Sequence, residues 1–194
     1  MTAHAMNHAQ ANHRPLLPTL RLIVLAGALA AAASLQAAPA EPAQVVRETT
    51  EHLLDTVKAR SETLRDDEAA MKQVIDEILM PVVDFPYFSR LVLGKYWRRA
   101  DSEQRERFLE RFRALLVKTY ALQLVEFSDV GVSYKDAQLE RDGTEAAVRV
   151  EIRPRDGKPV QVQYIMHLRD ERWQVYDIIV EGISTVVTFR STFY

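Results

Sequence analysis

The hydrophobic period of this 194-residue chain changes once, near Val130, and that change dictates helices before it and strands after it. Upstream, apolar residues recur at three- and four-residue steps. Val46, Leu53, Val57 and Leu64 share a stripe and predict a helix over 45–64. Asp66 or Asp67 can cap a second helix carrying Met71, Val74, Ile75, Ile78 and Leu79, which Pro81 stops. Asp84 opens a third over 85–93, and Gly94 ends it. Asp101 with Gln104 resembles a capping box, so a long fourth helix starts there and reaches Glu126. One side of it holds Phe108, Phe112, Leu115, Leu116, Thr119 and Tyr120. The other holds Arg105, Arg107, Glu110, Arg111 and Arg113, either a solvated face or a docking surface for an acidic partner or lipid phosphates.

Downstream, Val148, Val150 and Ile152 alternate with Arg149, Glu151 and Arg153, as a half-buried strand requires. Val160, Val162, Tyr164, Met166 and Leu168 repeat the pattern. A two-residue turn at Asp156-Gly157 would set these apolar rows on opposite faces. A three-residue loop, Arg155 to Gly157 with a left-handed glycine bulge, pairs Ile152 with Val160 and keeps them together, so that hairpin is expected. The strand over 173–180 is apolar on both faces: Trp173, Val175 and Ile179 on one, Tyr176, Ile178 and Val180 on the other. A turn at Asp170-Glu171 and one that includes Arg172 differ in parity, which leaves that face assignment open. Residues 183–193 fit a closing helix or a closing strand. The expectation is therefore an α+β domain, with helices over 45–127 and an antiparallel sheet of about four strands over 128–194.

Residues 1–37 are set apart as a secretory signal: Arg14 and Arg21 precede the apolar run Leu22–Ala33, and small residues follow. The run is too short to span a bilayer comfortably. Cleavage after Ala37 or Ala40 would leave one exported domain, 38–194. It would remove two arginines and no acid, making the remainder more acidic than the whole chain's −2, which argues against a nucleic-acid partner. It would also remove three of five histidines, leaving His52 and His167. With no cysteine at all, disulfides, thiolate metal sites and cysteine nucleophiles are excluded.

Motifs for chemistry are missing. The six glycines are isolated, so there is no phosphate loop or dinucleotide fingerprint, and no Gly-x-Ser-x-Gly or His-Glu-x-x-His occurs. Neither a catalytic residue nor a metal ligand nor a cofactor is expected. Asp177 interrupts an apolar strand; it is either a general base in a hydrophobic pocket, with Tyr164 stabilising an enolate, or an acceptor for the following turn or an arginine. His167 reads as a surface or edge histidine, and His52 has no candidate ligand near it. What remains is apolar surface on the helices and on the sheet, which periodicity alone reads equally as a solid core or as the walls of a cleft.

Three stretches carry a resemblance: 88–99 with Leu93, Gly94, Tyr96 and Trp97; 104–120, ending at Tyr120; and 173–184 with Tyr176, Asp177, Glu181, Gly182 and Ser184, followed by Phe189 and Arg190. In this order, behind an export signal, the chain over about 45–194 resembles the MlaC family of periplasmic phospholipid-binding proteins, also called the toluene-tolerance family. The tail after Arg190 is short for that pattern.

The resemblance implies an NTF2-like sheet covered by an N-terminal helical layer and enclosing an apolar cavity for acyl tails. It implies a periplasmic carrier without cofactor, acting as a monomer, that shuttles phospholipid between an outer-membrane lipoprotein–porin complex and an inner-membrane ABC transporter with its substrate-binding domain, maintaining outer-membrane asymmetry. A binding or chaperone module for apolar peptides, or an NTF2-like enzyme using Asp177, are the alternatives. The expected tail pocket takes Phe88, Leu91, Val92, Tyr96, Trp97, Phe108, Phe112, Leu115, Leu116 and Tyr120 from the helices. From the sheet side it takes Val148, Val150, Ile152, Val162, Tyr164, Met166, Val175, Ile183 and Val187.

Overall fold

The computed structural model describes residues 40–126 and 129–193; the expected export segment lies outside them. Helix α1 (Pro42–Ala59) starts with a proline where no intrahelical N–H is needed, and breaks at Arg60. The short α2 (Ser61–Asp66) follows, so the one helix expected over 45–64 is two. Leu64, beyond the break, still joins Leu53 and Val57 in one buried cluster. Asp67 caps α3 (Glu68–Val74), its Oδ1 accepting from Ala70 N at 2.9 Å. The helical path then widens into a π-type turn, Ile75–Leu79, and tightens into a 3₁₀ turn, Met80–Val82, where Pro81 has no N–H to continue an α ladder.

Helix α4 (Phe85–Leu93) is capped by Asp84, whose Oδ1 accepts from Tyr87 N at 3.0 Å. Gly94 ends it at φ 52°, ψ −115°, a region open to glycine rather than the left-handed helical stop expected. A short α5 (Lys95–Arg99), not anticipated, turns the chain into α6 (Ser102–Glu126). The capping box is real: Gln104 N donates to Asp101 Oδ1 at 2.8 Å, and Asp101 N to Gln104 Oε1 at 3.0 Å.

Six antiparallel strands follow: β1 (Gly131–Tyr134), β2 (Gln138–Glu140), β3 (Glu145–Arg153), β4 (Val160–Arg169), β5 (Arg172–Val180) and β6 (Ile183–Ser184). The order is β1-β3-β4-β5-β6, with β2 sharing the β1 edge of β3. Ile152 faces Val160, as expected, although Pro154 and Pro159 shorten the strands and leave a longer loop, with Gly157 at φ 132°. Asp170 and Glu171 form the two-residue turn, both with positive φ, and Arg169 faces Arg172. That settles the parity of β5 only as far as Val175. A bulge then lets Tyr176 and Asp177 together oppose Ile165, so Ile178 faces Tyr164 and Val180 faces Val162. The inner row is therefore Trp173, Val175, Ile178 and Val180, not the alternation expected. After β6 the chain forms a closing helix, α7 (Thr185–Thr192), with Ser184 as its cap.

The core divides into three clusters. The sheet's inner face, with Val148, Val150, Val162, Met166, Trp173 and Val175, receives Val46 from α1. Leu53, Val57, Leu64, Met71, Val74 and Ile78 pack with Val117 and Val125 of α6. The third is aromatic and joins α4, α6 and α7: Phe85, Phe88, Val92, Phe112 and Val186, with Phe108, Phe189 and Phe193 around them.

Candidate functional site

Helix α6 belongs to two of these clusters. Phe108, Leu109, Phe112 and Leu116 enter the aromatic one; Val117, Ala121, Leu124 and Val125 enter the α1–α3 one. A cleft of about 510 Å³ opens where they meet, between α3, the start of α4 and α6. Met80, Phe85, Pro86, Leu109, Ala114 and Val117 make its apolar lining, and Glu68, Lys72, Glu110 and Arg113 its charged one. A shallower groove of about 340 Å³ lies between α6 and the end of α7, where Phe108, Phe112, Leu115 and Phe193 meet Gln104, Arg107 and Arg111.

The structure brings Phe88, Leu91, Val92, Phe108, Phe112 and Leu116 together in the aromatic cluster. Phe112 is 1% exposed and touches Phe85, Phe88, Phe108, Phe189 and Phe193, with ring centroids 5.2–5.9 Å away. Val148, Val150, Ile152, Val162, Tyr164, Met166 and Val175 line the inner sheet face instead. Val148, Val150 and Met166 are at most 1% exposed, in closely packed core. Neither cleft is lined by a strand residue. Tyr96, Leu115, Tyr120, Ile183 and Val187 are 39–64% exposed, outside both clusters. Trp97 sits at the α5–α6 corner, its carbonyl accepting from Arg105 Nε at 3.0 Å. Met80, Phe85, Leu109 and Val117 were not among the expected lining residues. Phe85 begins the aromatic stretch of the chain, and that was the available signal for it.

The polar candidates hold the fold together. Asp177 Oδ1 accepts from Ile178 N at 2.8 Å, Thr185 Oγ1 at 2.9 Å and Val186 N at 3.1 Å, while Oδ2 accepts from Ser184 Oγ at 2.5 Å. It thus ties β5 to the N-terminus of α7, the turn-acceptor role. Tyr164 lies on the other face of the sheet from Asp177, since Tyr164 faces Ile178 and Ile165 faces Asp177; the acid–tyrosine pair of the enzyme reading is not assembled. Burial pushes the Tyr164 hydroxyl's pKa up, partly offset by its hydrogen bond with Thr50 of α1. Arg190 leaves Asp177 alone and donates from Nε (3.0 Å) and Nη2 (2.6 Å) to Leu91 O, near the end of α4. Glu181 and Gly182, both at positive φ, form the tight β5–β6 turn.

His167 is more than an edge histidine. Buried Asp84 accepts through Oδ2 from Arg169 Nη1 at 2.7 Å and from His167 Nε2 at 3.0 Å, so one carboxylate caps α4 and fastens it to β4. The imidazole packs against Tyr87 and Tyr176, centroids 5.0 and 5.1 Å away. Burial lowers its pKa from the ordinary 6.5 and outweighs the opposing pull of Asp84. His52 is exposed on α1. Among the described residues no cluster of His, Asp and Glu is placed to hold a metal, and no helix is long and apolar enough to cross a membrane.

A family model described as MlaC protein matches residues 47–194. The toluene tolerance protein ttg2D of Pseudomonas putida is 34% identical over 166 residues, 85% of this chain and 77% of that one. The intermembrane phospholipid transport system binding protein MlaC of Haemophilus influenzae is 24% identical over 150 residues, 76% of this chain and 70% of that one. A phospholipid-binding protein from Ralstonia solanacearum, solved in complex with a phospholipid, superposes with a TM-score of 0.74 at 27% identity, covering 79% of this chain and 86% of its own. The helical layer over an antiparallel sheet is the fold shared with the Ralstonia protein, and the chain belongs to the MlaC family.

Proposed function

We propose that this protein binds a phospholipid by its acyl chains and carries it through the periplasm. It would travel between an outer-membrane lipoprotein–porin complex and an inner-membrane ABC transporter with its substrate-binding domain, with residues 1–37 serving as the export signal. The observation that carries the reading is the likeness to a protein whose own structure holds a phospholipid.

The interior supports it. Two acyl chains of about 30 methylenes, at roughly 0.8 kcal/mol each, would be worth more than about 20 kcal/mol against water, near the ceiling for noncovalent binding. Against a bilayer, where tails are already dry, exchange into an apolar interior is close to neutral, and direction falls to the docking partners. Such a carrier needs no bond-breaking residue; it needs a way for tails to reach apolar surface. The cleft between Phe85 and Val117 opens where two clusters abut, so entry there parts one cluster from another rather than rupturing either. The expected pocket residues divide accordingly. Phe88, Val92, Phe108, Phe112 and Leu116 belong to the aromatic cluster on one side of the cleft, whereas Val148, Val150, Val162, Met166 and Val175 would be reached once α1 lifts from the sheet.

The test is organic extraction of the purified protein followed by mass spectrometry. Phospholipid near one per protein is expected. A lipid-free protein that also takes up none from vesicles would overturn the reading, and bound peptide would replace it with a chaperone role.

A further inference from the structure

We propose that the charged rim of the cleft between α3, α4 and α6 is a headgroup site for a zwitterionic phosphodiester lipid, whose phosphate takes the place of Asp76 on Arg113 and Lys72. The proposal rests on the carrier reading and adds to it what the headgroup touches.

Asp76 stands in the π-type turn, one helical step from Lys72, and its carboxylate pairs with Lys72 Nζ at 2.7 Å and with Arg113 across the seam. Asp76 and Arg113 are each 29% exposed, so the pair is shielded but reachable. The pair is imperfectly met: among the described residues the buried Arg113 Nε and Asp76 Oδ1 each have no hydrogen-bond partner. Buried donors are ordinarily paired, and a guanidinium that engages a carboxylate through Nη while Nε stays idle has half of its planar fork unused. A phosphodiester presents two oxygens at the spacing that the Nε–Nη edge takes. Beneath it, Met80, Phe85, Leu109 and Val117 offer apolar surface for glycerol and the first methylenes.

The balance of charge selects the headgroup. Glu68 and Glu110 line the same cleft as Lys72 and Arg113, and with Asp76 the rim holds three carboxylates against two cations. A headgroup with net negative charge meets a rim that is already negative. A zwitterion offers its phosphate to Arg113 and Lys72 and its ammonium to Glu68 and Glu110, so it adds no net charge to the rim, and the displaced Asp76 turns to solvent.

The experiment compares the purified protein's affinity for phosphatidylethanolamine, phosphatidylglycerol and diacylglycerol with identical tails. The wild type is expected to hold phosphatidylethanolamine more tightly than either. Arg113→Gln should weaken phosphatidylethanolamine roughly ten- to hundredfold, the range of a charged hydrogen bond, and leave diacylglycerol unchanged. Lys72→Gln, at a more exposed site that does not threaten folding, should act the same way to a smaller degree. Asp76→Asn removes the competing anion and should tighten both phospholipids while leaving diacylglycerol unchanged. Equal weakening of all three lipids by Arg113→Gln and Lys72→Gln, weaker phosphatidylethanolamine binding in Asp76→Asn, or a preference for phosphatidylglycerol would overturn the headgroup site while the carrier reading stands. A wild type that binds none of the three overturns both.

Discussion

Phe112 is the residue on which the aromatic cluster depends most, and Phe112→Ala turns that into a number. The side chain is almost fully buried and meets five other rings. Truncating a buried phenylalanine costs about 3–5 kcal/mol, part transfer and part cavity. Favourable ring pairs contribute about 0.5–1.5 kcal/mol each beyond area, and the loss of several places this site at the upper end, near 5 kcal/mol. A domain of this size is stable by about 5–15 kcal/mol, so the variant should be marginal. Urea unfolding at 25 °C, followed by the fluorescence of Trp97 and Trp173, measures it. The midpoint should fall steeply while the slope stays constant, because the surface exposed on unfolding is unchanged. Leu115→Ala, on the same helix but exposed, should cost less than about 1 kcal/mol. If Phe112→Ala lost no more than Leu115→Ala, the six rings would not be packed as described, and the seam argument would fail with them.

Three further outcomes follow from the joints. Asp177→Ala removes the acceptor of three donors at the start of α7 and of Ile178 N in β5 and should cost about 3 kcal/mol, seen as a lowered Tm and faster amide exchange in α7 than in β3. Gly94→Ala forces an L side chain into φ 52°, ψ −115° and should cost about 1–3 kcal/mol by the same melt. His167 titrates below 6.5 when folded, so the unfolded chain binds its proton first and stability falls as pH drops through 6.5, levelling off below the folded value. His167→Gln should remove that slope in urea midpoints between about pH 7 and 5, and an unchanged slope would show that another group causes it.

Local chemistry was legible in the sequence wherever the partner was close along the chain. The caps at Asp67, Asp84 and Asp101 and the pairing of Ile152 with Val160 each involve groups within eight residues of one another. What was missed depends on distant neighbours. Helix α6 meets the aromatic cluster with its first half and the α1–α3 cluster with its second, so its buried stripe rotates from Phe112 and Leu116 to Val117, Ala121 and Val125. A single stripe through Leu115, Thr119 and Tyr120 could not foresee that. The bulge at Tyr176 reverses the facing of Ile178, and only the register with β4 reveals it. Residues 183–193 are rich in β formers, yet 185–192 form a helix, whose first amides Ser184 and Asp177 together satisfy. Asp84 and His167 are 83 residues apart, and no local pattern links them.

The distribution of polar contacts shows where this fold can yield. Helix α4 is fastened to β4 through Asp84 and to α7 through Arg190, and α7 is fastened to β5 through Asp177. These contacts are charge-assisted and partly buried, so breaking any of them leaves an unpaired charge or stranded amides away from water. Helices α4 and α7 therefore move with the sheet. The α1–α3 cluster is held differently. It is joined to the aromatic cluster by the two halves of α6, by the chain at Leu79–Met80, and by the Asp76–Arg113 pair at the mouth of the cleft. On the proposed reading, a phosphate that relieves Arg113 of Asp76 would remove an ionic contact across the seam while bringing tails that replace its apolar contacts. Headgroup capture and opening would then be a single event, and such a carrier would stay closed until a lipid is presented at its rim.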